Sequence, residues 1–289
     1  MNEFNLNSIS PIDGRYSDKT EVLSQYFSEK ALIFYRVKVE IEYFISLCKL
    51  GIPQLKKFES KKFDDLRKIY QDFSNEDAIE IKNIEKITNH DVKAVEYFIK
   101  QKFELLGISD YKEFIHFGLT SQDINNSAIP LSIKDFINNV YIPKINKVIE
   151  AIENKSEELK DITIIARTHG QPASPTKLGK EFKVFSTRIN EQMKTLNKIP
   201  NSAKFAGAVG NFNAHKVAYP EIDWKKFGQN FIEKELGLNY SFPTTQIEHY
   251  DSFAALCDNC RRINNILLDM CVDIWTYISY DYFKQKIIK

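Results

Sequence analysis

A long run without glycine or proline, residues 244–289, constrains the fold more than any other feature of this sequence. Spacings of three and four separate its seam positions, Tyr250, Phe253, Cys257, Cys260, Asn264, Leu267, Cys271, Ile274 and Ile278. This heptad-like seam predicts a helix of about 40 residues, roughly 60 Å long. Such a helix is typical of an elongated bundle that other subunits complete. On this seam, Asn264 could set the helix register, contact solvent or mark a helix end.

Helical periodicity also dominates the rest of the chain, which has only 10 glycines and 9 prolines, clustered between the periodic segments. The periodicity predicts helices over residues 21–50, 64–73, 91–103, 131–159 and 177–199. Pro143 is expected to kink or break the fourth of these helices. Strand signals are weak, and only residues 161–166 are β-branched enough for a short extended piece. The fold class is therefore predicted to be all-α, an elongated bundle of long helices.

Composition excludes several classes of function. The chain has 289 residues, of which 43% are hydrophobic, and it can therefore bury a sizeable core. Its 40 basic and 39 acidic residues give a net charge of +1, which provides no basic field for nucleic acid and no cationic face for a membrane. No signal peptide is visible in residues 1–10, and no apolar run reaches the ~18–20 residues of a membrane span. A cytoplasmic protein is expected.

The cysteines do not have the spacing of a disulfide framework in so large a chain. They are Cys48, Cys257, Cys260 and Cys271. Cys257 and Cys260 could be half of a zinc site or a redox pair, but no second pair completes a tetrahedral set. Because residues i and i+3 lie on one face of a helix, packing is the expected role, and no metal site is predicted.

Polar segments lie at the junctions between the predicted helices. In residues 10–16, Arg15 and Tyr16 could clamp a phosphate or carboxylate, or the segment could be a surface loop. Each such segment has a structural interpretation that is sufficient on its own. Because several of them occur at helix ends in one helical chain, they suggest polar loops that converge on an anionic ligand.

Residues 88–91 place a histidine at the start of a helix. Asn89, His90 and Asp91 fit an N-cap with an acidic first turn. At the positive end of a helix the cationic form of His90 is disfavoured, and a carboxylate such as Asp91 could orient the ring. Both the capping and the catalytic interpretation stay open.

Residues 114–126 contain a second candidate helix start. Thr120 and Ser121 could cradle an anion with their hydroxyls and free N–H groups, although a capping box with Asp123 explains the same residues. His116 lies between aromatic residues, and we interpret it as a buried, hydrogen-bonded core histidine.

Residues 167–173 hold a titratable imidazole on a turn. Gly170 permits an unusual φ and Pro172 locks one, so His169 could present its ring to a substrate and transfer a proton near neutral pH. The alternative is a capped turn with an incidental histidine. Gln246, at the expected start of the longest helix, could bond a substrate or serve as a cap.

These motifs together resemble the adenylosuccinate lyase family of the fumarase/aspartase superfamily. The resemblance covers essentially the whole chain and rests on SPIDGRY (10–16), TNHDVKAVEYF (88–98), FIHFGLTSQDINN (114–126), RTHGQPA (167–173), GAVGNFNAH (207–215) and YPEIDW (219–224). It implies a homotetramer with active sites shared among three subunits. It also implies that fumarate is eliminated from adenylosuccinate, giving AMP, and from the succinyl-carboxamide intermediate of purine synthesis. The elimination needs no metal and no cofactor.

The resemblance also implies roles for individual residues. His169 is similar to the general acid, and Thr168 flanks it. Arg15 and Tyr16 are similar to contacts of the nucleotide phosphate. The remaining positions resemble the substrate-binding and histidine-orienting set (Asn89, His90, Asp91), hydroxyl donors to the fumarate carboxylates (Thr120, Ser121) and an amide contact (Gln246).

The family pattern continues with a flexible loop that supplies a serine base, and the given sequence ends where that loop is expected. We therefore expect residues 1–111 to form an N-terminal helical domain and 112–289 an incomplete central bundle, without the C-terminal domain and inactive alone. The alternatives are another fumarate-releasing lyase of the superfamily, or a catalytically inactive fragment that serves as an oligomerisation module.

Overall fold

The computed structural model describes residues 7–287, most of which are helical. The α-helices are α1 (Ser17–Thr20), α2 (Ser24–Phe27), α3 (Glu29–Leu50), α4 (Phe63–Gln71), α5 (Asn75–Thr88), α6 (Asp91–Leu105), α7 (Ser121–Phe136), α8 (Ile142–Glu158), α9 (Leu178–Leu196), α10 (Asn213–Ala218), α11 (Trp224–Asn230) and α12 (Asp251–Ser279). Short 3₁₀ turns cover Glu21–Leu23, Pro53–Leu55, Ser60–Lys62 and Ser109–Phe114, and π turns cover Ile137–Tyr141 and Phe231–Glu235. The strands are β1 (Thr163–Thr168), β2 (Gln171–Lys177), β3 (Ser202–Ala203) and β4 (Asn239–Tyr240). The predicted all-α class is confirmed.

Local signals explain where the main helices begin and end. Ser28 caps α3 by accepting a 3.1 Å hydrogen bond from the Ala31 N–H, and Gly51 ends the helix in the left-handed region at φ 79°. A capping box between Ser74 and Asp77 begins α5, a helix that the periodicity did not predict. The Ser-x-x-Asp spacing was therefore the available signal for α5.

The chain forms two compact units. Unit 1 comprises residues 1–137 and 201–249, and unit 2 comprises residues 138–200 and 250–289. The predicted boundary between residues 111 and 112 is a different partition of the chain, and it stays a prediction.

Unit 1 is organised around α3, which is buried along most of its length. Helices α4, α5, α6 and α7 pack against it. Aromatic rings fill the space between them, with Phe44 and Phe103 in edge-to-face contact at 4.9 Å. β3 and β4 form a two-residue parallel pair. This tight packing gives the helix ends that carry the polar motifs a rigid support.

Unit 2 combines three helices with a hairpin. α9 packs against both α8 and α12, and β1 pairs with β2 in antiparallel register. α8 and α9 approach so closely that a Cβ atom on Gly179 would lie 2.2 Å from the Ser156 carbonyl oxygen. The sequence predicted an extended piece that overlaps β1 but did not predict β2, because β2 contains two prolines and few β-branched residues.

The longest helix differs from its prediction in length and in phase. α12 has 29 residues, because Tyr250 adopts a left-handed conformation (φ 64°) before it and Asp281 does so after it (φ 59°). Its buried stripe is Leu256, Asn259, Ile263 and Ile266, whereas much of the predicted seam is exposed. Asn259, not Asn264, is the buried polar residue, and it donates to the Gln192 carbonyl at 3.1 Å. α12 carries apolar residues on several of its sides, so their spacing alone could not identify the side that is buried.

Other predicted features are recovered with shifted ends. Pro143 lies in the first turn of α8, directly after the π turn at Ile137–Tyr141, so the predicted interruption is confirmed. Cys257 is exposed and Cys260 is half-buried. Between residues 7 and 287, no three His, Cys, Asp or Glu side chains form a group that could hold a metal ion. In the same range, no helix is both long enough and apolar enough to cross a lipid bilayer.

Candidate active site

His90 caps the N-terminus of α6 with its imidazole ring. Asn89 ends α5 in a left-handed conformation (φ 52°), and His90 is extended (φ −152°) where α6 begins. The Nδ1 atom of His90 accepts a 3.1 Å hydrogen bond from the Lys93 N–H. A neutral imidazole that accepts at Nδ1 carries its proton on Nε2. His90 is therefore arranged to donate a hydrogen bond through Nε2.

A buried arginine holds Asp91 in place. The Nη2 atom of Arg36 lies 2.6 Å from Asp91 Oδ2, and its Nε atom donates to Asn125 Oδ1 at 2.9 Å. Burial raises the pKa of Asp91, but the Arg36 guanidinium and the Val92 N–H outweigh that effect and hold the pKa below its usual range. Asp91 is therefore an anion near neutral pH, with Oδ1 3.6 Å from the Nδ1 atom of His90.

A cavity of about 680 Å³ opens beside these residues. Its lining is Glu29, Leu32, Arg36, Lys82, Glu85, Lys86, Asn89, His90 and Asp91. Lys82 pairs with Glu29 at 3.0 Å and with Glu85 at 2.7 Å. The wall therefore presents both signs of charge together with an imidazole donor, which suits a polar ligand better than an apolar one.

The N-terminus of α7 presents two hydroxyl side chains. Thr120 is the extended N-cap residue (φ −110°), and Ser121 is the first residue of the helix. The Thr120 N–H donates to Asp123 Oδ2 at 2.9 Å, which fixes the cap. Hydroxyls at the positive end of a helix dipole favour an anionic ligand.

Asp123 and Lys204 form an ion pair that has no exposed side-chain surface, with Nζ 2.7 Å from Oδ1. The same Oδ1 atom accepts hydrogen bonds from the N–H groups of Ala206 (2.9 Å) and Gly207 (3.1 Å). Lys204 Nζ also donates to the Gly207 carbonyl at 2.5 Å. Sequence reasoning named Asp123 only as a cap and did not find Lys204, because no local pattern marks a lysine that will be buried.

Gln246 lies in an irregular segment before α12, so its predicted place at the start of a helix is wrong. Two contacts hold this segment to the motifs of unit 1. The Glu248 N–H donates to Asn126 Oδ1 at 2.9 Å. Gly210 (φ 80°) approaches Thr244 so closely that a Cβ atom would lie 2.0 Å from the Thr244 carbonyl oxygen. The glycine is therefore required by both its φ and its neighbour.

His215 lies in an aromatic box and is fully buried. The rings of Phe117, Phe212 and Trp224 surround it, with centroids 5.7, 5.3 and 4.7 Å away. Tyr43 Oη donates to the Phe117 carbonyl at 2.7 Å and lies 3.0 Å from His215 Nε2. Burial lowers the pKa of His215 to about 4, so the ring is neutral near pH 7.

His116 has the hydrogen-bond partner that its sequence context predicted. Its Nδ1 atom lies 2.5 Å from Oε1 of Glu40, a carboxylate without exposed surface. Burial lowers the pKa of His116, but the Glu40 charge and hydrogen bond outweigh that effect and raise it above its usual value. This pair favours the charged imidazolium.

His169 is at the tip of the hairpin in unit 2. Thr168 pairs with Gln171, so His169 and Gly170 form a two-residue loop, and both have positive φ values, 50° and 74°. Positive φ at both central residues is the requirement of a type I′ turn. The turn exposes the imidazole to solvent and leaves it available to a ligand.

Arg167 stiffens this hairpin from the side. Its Nη1 atom donates to the Gly170 carbonyl at 3.1 Å, and its guanidinium lies 4.5 Å from the centre of the Tyr280 ring. Tyr282 Oη donates to the Ile165 carbonyl at 2.9 Å. The hairpin tip therefore rests on residues that follow α12.

The structure divides the predicted site residues between the two units. Unit 1 holds Arg15, Tyr16, Asn89, His90, Asp91, Thr120, Ser121 and Gln246. Thr168 and His169 belong to unit 2. Arg36 and Asn125 join the segment of His90 to that of Thr120, whereas the Arg15 guanidinium rests on the ring of Tyr16 at 5.5 Å in an exposed turn.

A family model described as "Lyase" matches residues 14–289. The chain belongs to this lyase family. Three curated relatives are named adenylosuccinate lyase. The one from Dictyostelium discoideum is 54% identical to this chain, the one from Legionella pneumophila strain Corby is 48% identical, and the one from Escherichia coli K12 is 43% identical. These alignments cover 98–99% of the chain but only 62–63% of each relative. The resemblance predicted from the motifs is confirmed.

Solved structures of other proteins share the fold of this lyase. A fumarate lyase from Mesorhizobium sp. BNC1 has a TM-score of 0.72 at 19% identity and covers 90% of this chain and 57% of its own. A β-carboxy-cis,cis-muconate cycloisomerase from Acinetobacter calcoaceticus sp. ADP1 has a TM-score of 0.70 at 19% identity, with coverage of 89% and 57%. These likenesses establish the architecture, a helical lyase fold.

Proposed function

We propose that the natural protein containing this chain releases fumarate by β-elimination from adenylosuccinate, giving AMP, and from the succinyl-carboxamide intermediate of purine biosynthesis. The observation that carries this proposal is the 43–54% identity to relatives named adenylosuccinate lyase over nearly the whole chain. The substrate is a nucleotide that carries a phosphate and two carboxylates. The paired hydroxyls at α7 and the cavity beside His90 supply the donors that such a ligand needs.

In the proposed reaction a base removes the proton on the carbon next to a carboxylate. The electrons of that C–H bond form the C=C bond of fumarate, the C–N bond breaks, and the nitrogen takes a proton from His169. Negative charge builds on the carboxylate as the proton leaves, and Thr120 and Ser121 stabilise it with hydroxyl donors. Thr168 flanks the acid. Gln246 contacts the substrate, and Arg15 and Tyr16 hold the phosphate.

His90 serves in this proposal as a hydrogen-bond donor, not as a proton carrier. Its Nδ1 atom is occupied by the Lys93 N–H at 3.1 Å. Protonation of Nδ1 would break that cap and place a cation at the positive end of α6. Asn89 and Asp91 flank the ring and orient the ligand together with it.

The active site is proposed to form in a homotetramer, with residues from several copies. The shared site would bring the hairpin of His169 to the unit 1 residues of neighbouring copies. Helical bundles commonly complete their cores with symmetric partners.

The test is an assay of fumarate release by the natural protein, expressed from its own gene. Adenylosuccinate and the succinyl-carboxamide substrate should yield fumarate, whereas argininosuccinate should not. Release from argininosuccinate alone would assign another lyase of the superfamily. Absence of turnover with all three substrates, for a folded protein, would favour a non-catalytic oligomerisation module.

A further inference from the structure

The ion pair of Asp123 and Lys204 is the most unusual polar feature of unit 1. Neither side chain has exposed surface, and Nζ lies 2.7 Å from Oδ1. Burying both charges costs desolvation energy that their attraction only partly returns, so such a pair adds little to stability compared with an apolar pair of similar volume. A reason other than stability must therefore explain its presence.

The pair joins two segments that are far apart in sequence. One carboxylate oxygen of Asp123 accepts the Thr120 N–H at 2.9 Å. The other accepts the N–H groups of Ala206 and Gly207, at 2.9 and 3.1 Å, as well as the lysine Nζ. A single side chain thus fixes the beginning of α7 and the loop that follows Lys204.

That loop in turn sets the position of the segment that carries Gln246. Gly210 packs directly on the Thr244 carbonyl, where a Cβ atom would lie 2.0 Å from the oxygen. From the other side, Asn126 accepts the Glu248 N–H at 2.9 Å. The contacts therefore run without interruption from Thr120 to both sides of Gln246.

We propose that Asp123 and Lys204 are positioning residues that hold Thr120, Ser121 and Gln246 in register to bind one substrate. This inference rests on the proposed function for the identity of the substrate. The two residues act through the backbone atoms they hold, because both are too deeply buried to touch a ligand. The charges give the direction and fixed geometry that an apolar pair would lack.

Lys204→Met in the natural protein removes the charge and keeps the volume. We expect KM for adenylosuccinate to rise by about tenfold or more, because contacts made in both the ground and transition states are loosened. A merely structural role would lower the amount of folded enzyme and leave KM unchanged, and that result would overturn the proposal. Lys194→Met is the matched control, because its pair with Glu191 is exposed. Asp123→Asn, which keeps the shape but replaces one of the two accepting oxygens with an amide donor, gives a second variant if Lys204→Met does not fold.

Hydrogen exchange measured by mass spectrometry tests the positioning without any assay of turnover. In Lys204→Met, amides of residues 120–124, 206–210 and 244–248 should exchange faster, whereas those of α9 should not change. If all three segments exchange at the same rate in Lys204→Met as in the wild type, the coupling is refuted. If the wild-type protein releases no fumarate but the exchange pattern is as expected, the proposed function fails and the coupling stands.

Discussion

Arg36 shows how a side chain outside the predicted site can control residues within it. Its guanidinium binds Asp91 at 2.6 Å and Asn125 at 2.9 Å from two different nitrogens. A lysine has one ammonium and cannot make both bonds with the same geometry. No sequence pattern identifies this role, because Arg36 lies within a long helix, far in sequence from both partners.

We expect Arg36→Lys to lower kcat/KM for adenylosuccinate by about tenfold, since Asp91 and Asn125 lose their common anchor. Arg67→Lys is the matched control, because Arg67 binds Glu42 through two nitrogens at 2.9 and 3.2 Å, outside the motifs. Steady-state kinetics and thermal melts of both variants separate a loss of activity from a loss of stability. Equal kinetic losses in the two variants would show that Arg36 has no special role.

His169→Ala should lower kcat by at least about 100-fold, the usual scale for a positioned general acid. The exposed hairpin tip makes no packing contribution that the substitution would remove. The melting temperature should therefore stay close to that of the wild type. A near-normal kcat would remove His169 from the acid role and return it to an incidental turn residue.

His215 predicts a specific loss of stability in acid. Burial lowers its pKa in the folded state to about 4, whereas the unfolded chain binds the proton near pH 6.5. The contribution of His215 to the free energy of unfolding is therefore fully present above about pH 6.5. It is lost as the pH drops towards 4, by about 3 kcal/mol in total. His116 has a raised pKa and acts in the opposite direction, losing its contribution as the pH rises.

The measurement is urea unfolding of the wild type and of His215→Gln across this pH range. The variant keeps an N–H donor for the Tyr43 hydroxyl oxygen but does not titrate. Its deficit relative to the wild type should be largest near neutral pH and shrink by about 3 kcal/mol near pH 4. A deficit that is independent of pH would mean that the folded state accommodates the charged ring.

At the scale of elements, two glycines with left-handed backbone conformations differ in the atoms that would surround an added Cβ atom. Gly210 and Gly51 have nearly the same φ, 80° and 79°. A Cβ atom at Gly210 would lie 2.0 Å from the Thr244 carbonyl oxygen, whereas at Gly51 nothing lies within 4 Å. The pair therefore separates backbone strain from close approach.

Gly51→Ala should cost about 1 kcal/mol, the usual price of a left-handed alanine. Gly210→Ala should cost at least about 3 kcal/mol, because the backbone of the 244–249 segment must also move. Urea unfolding curves give both values. A difference of less than about 1 kcal/mol would show that the segment yields freely and is not tightly held by this loop.

Periodicity predicted most of the long helices, although not always with the observed ends. α4, α6 and α9 were found to within a few residues at their ends, whereas α3 ends as predicted but begins at Glu29 and not at residue 21. α5 was not predicted, although its capping box was readable in the sequence. Of the site, spacing identified the motifs of His90, Thr120 and His169. Long-range partners such as Arg36 and Lys204 depend on tertiary folding and were not predictable.

At the scale of the whole molecule, the surface that matters for assembly is the exposed side of α12. Only one stripe of that helix is buried within unit 2. Large apolar side chains remain exposed on its other faces: Phe253, Leu268, Val272 and Trp275. Monomeric proteins rarely leave apolar residues exposed along one helix in this way, and such a surface is typical of a subunit interface. This fits the proposed homotetramer, in which the predicted seam would face other copies.

Leu268→Glu in the natural protein should therefore weaken assembly, because a carboxylate would be buried in the contact. Leu105→Glu is the matched control, since Leu105 is also exposed, at 82% against 63% for Leu268, but lies on α6 in unit 1. Light scattering should give a smaller particle for the first variant and an unchanged tetramer for the second. Because the site is proposed to combine His169 of one copy with residues of others, the dissociated variant should also lose fumarate release. A folded monomer that keeps full activity would contradict the shared site, and a Leu268→Glu tetramer would place the interface elsewhere.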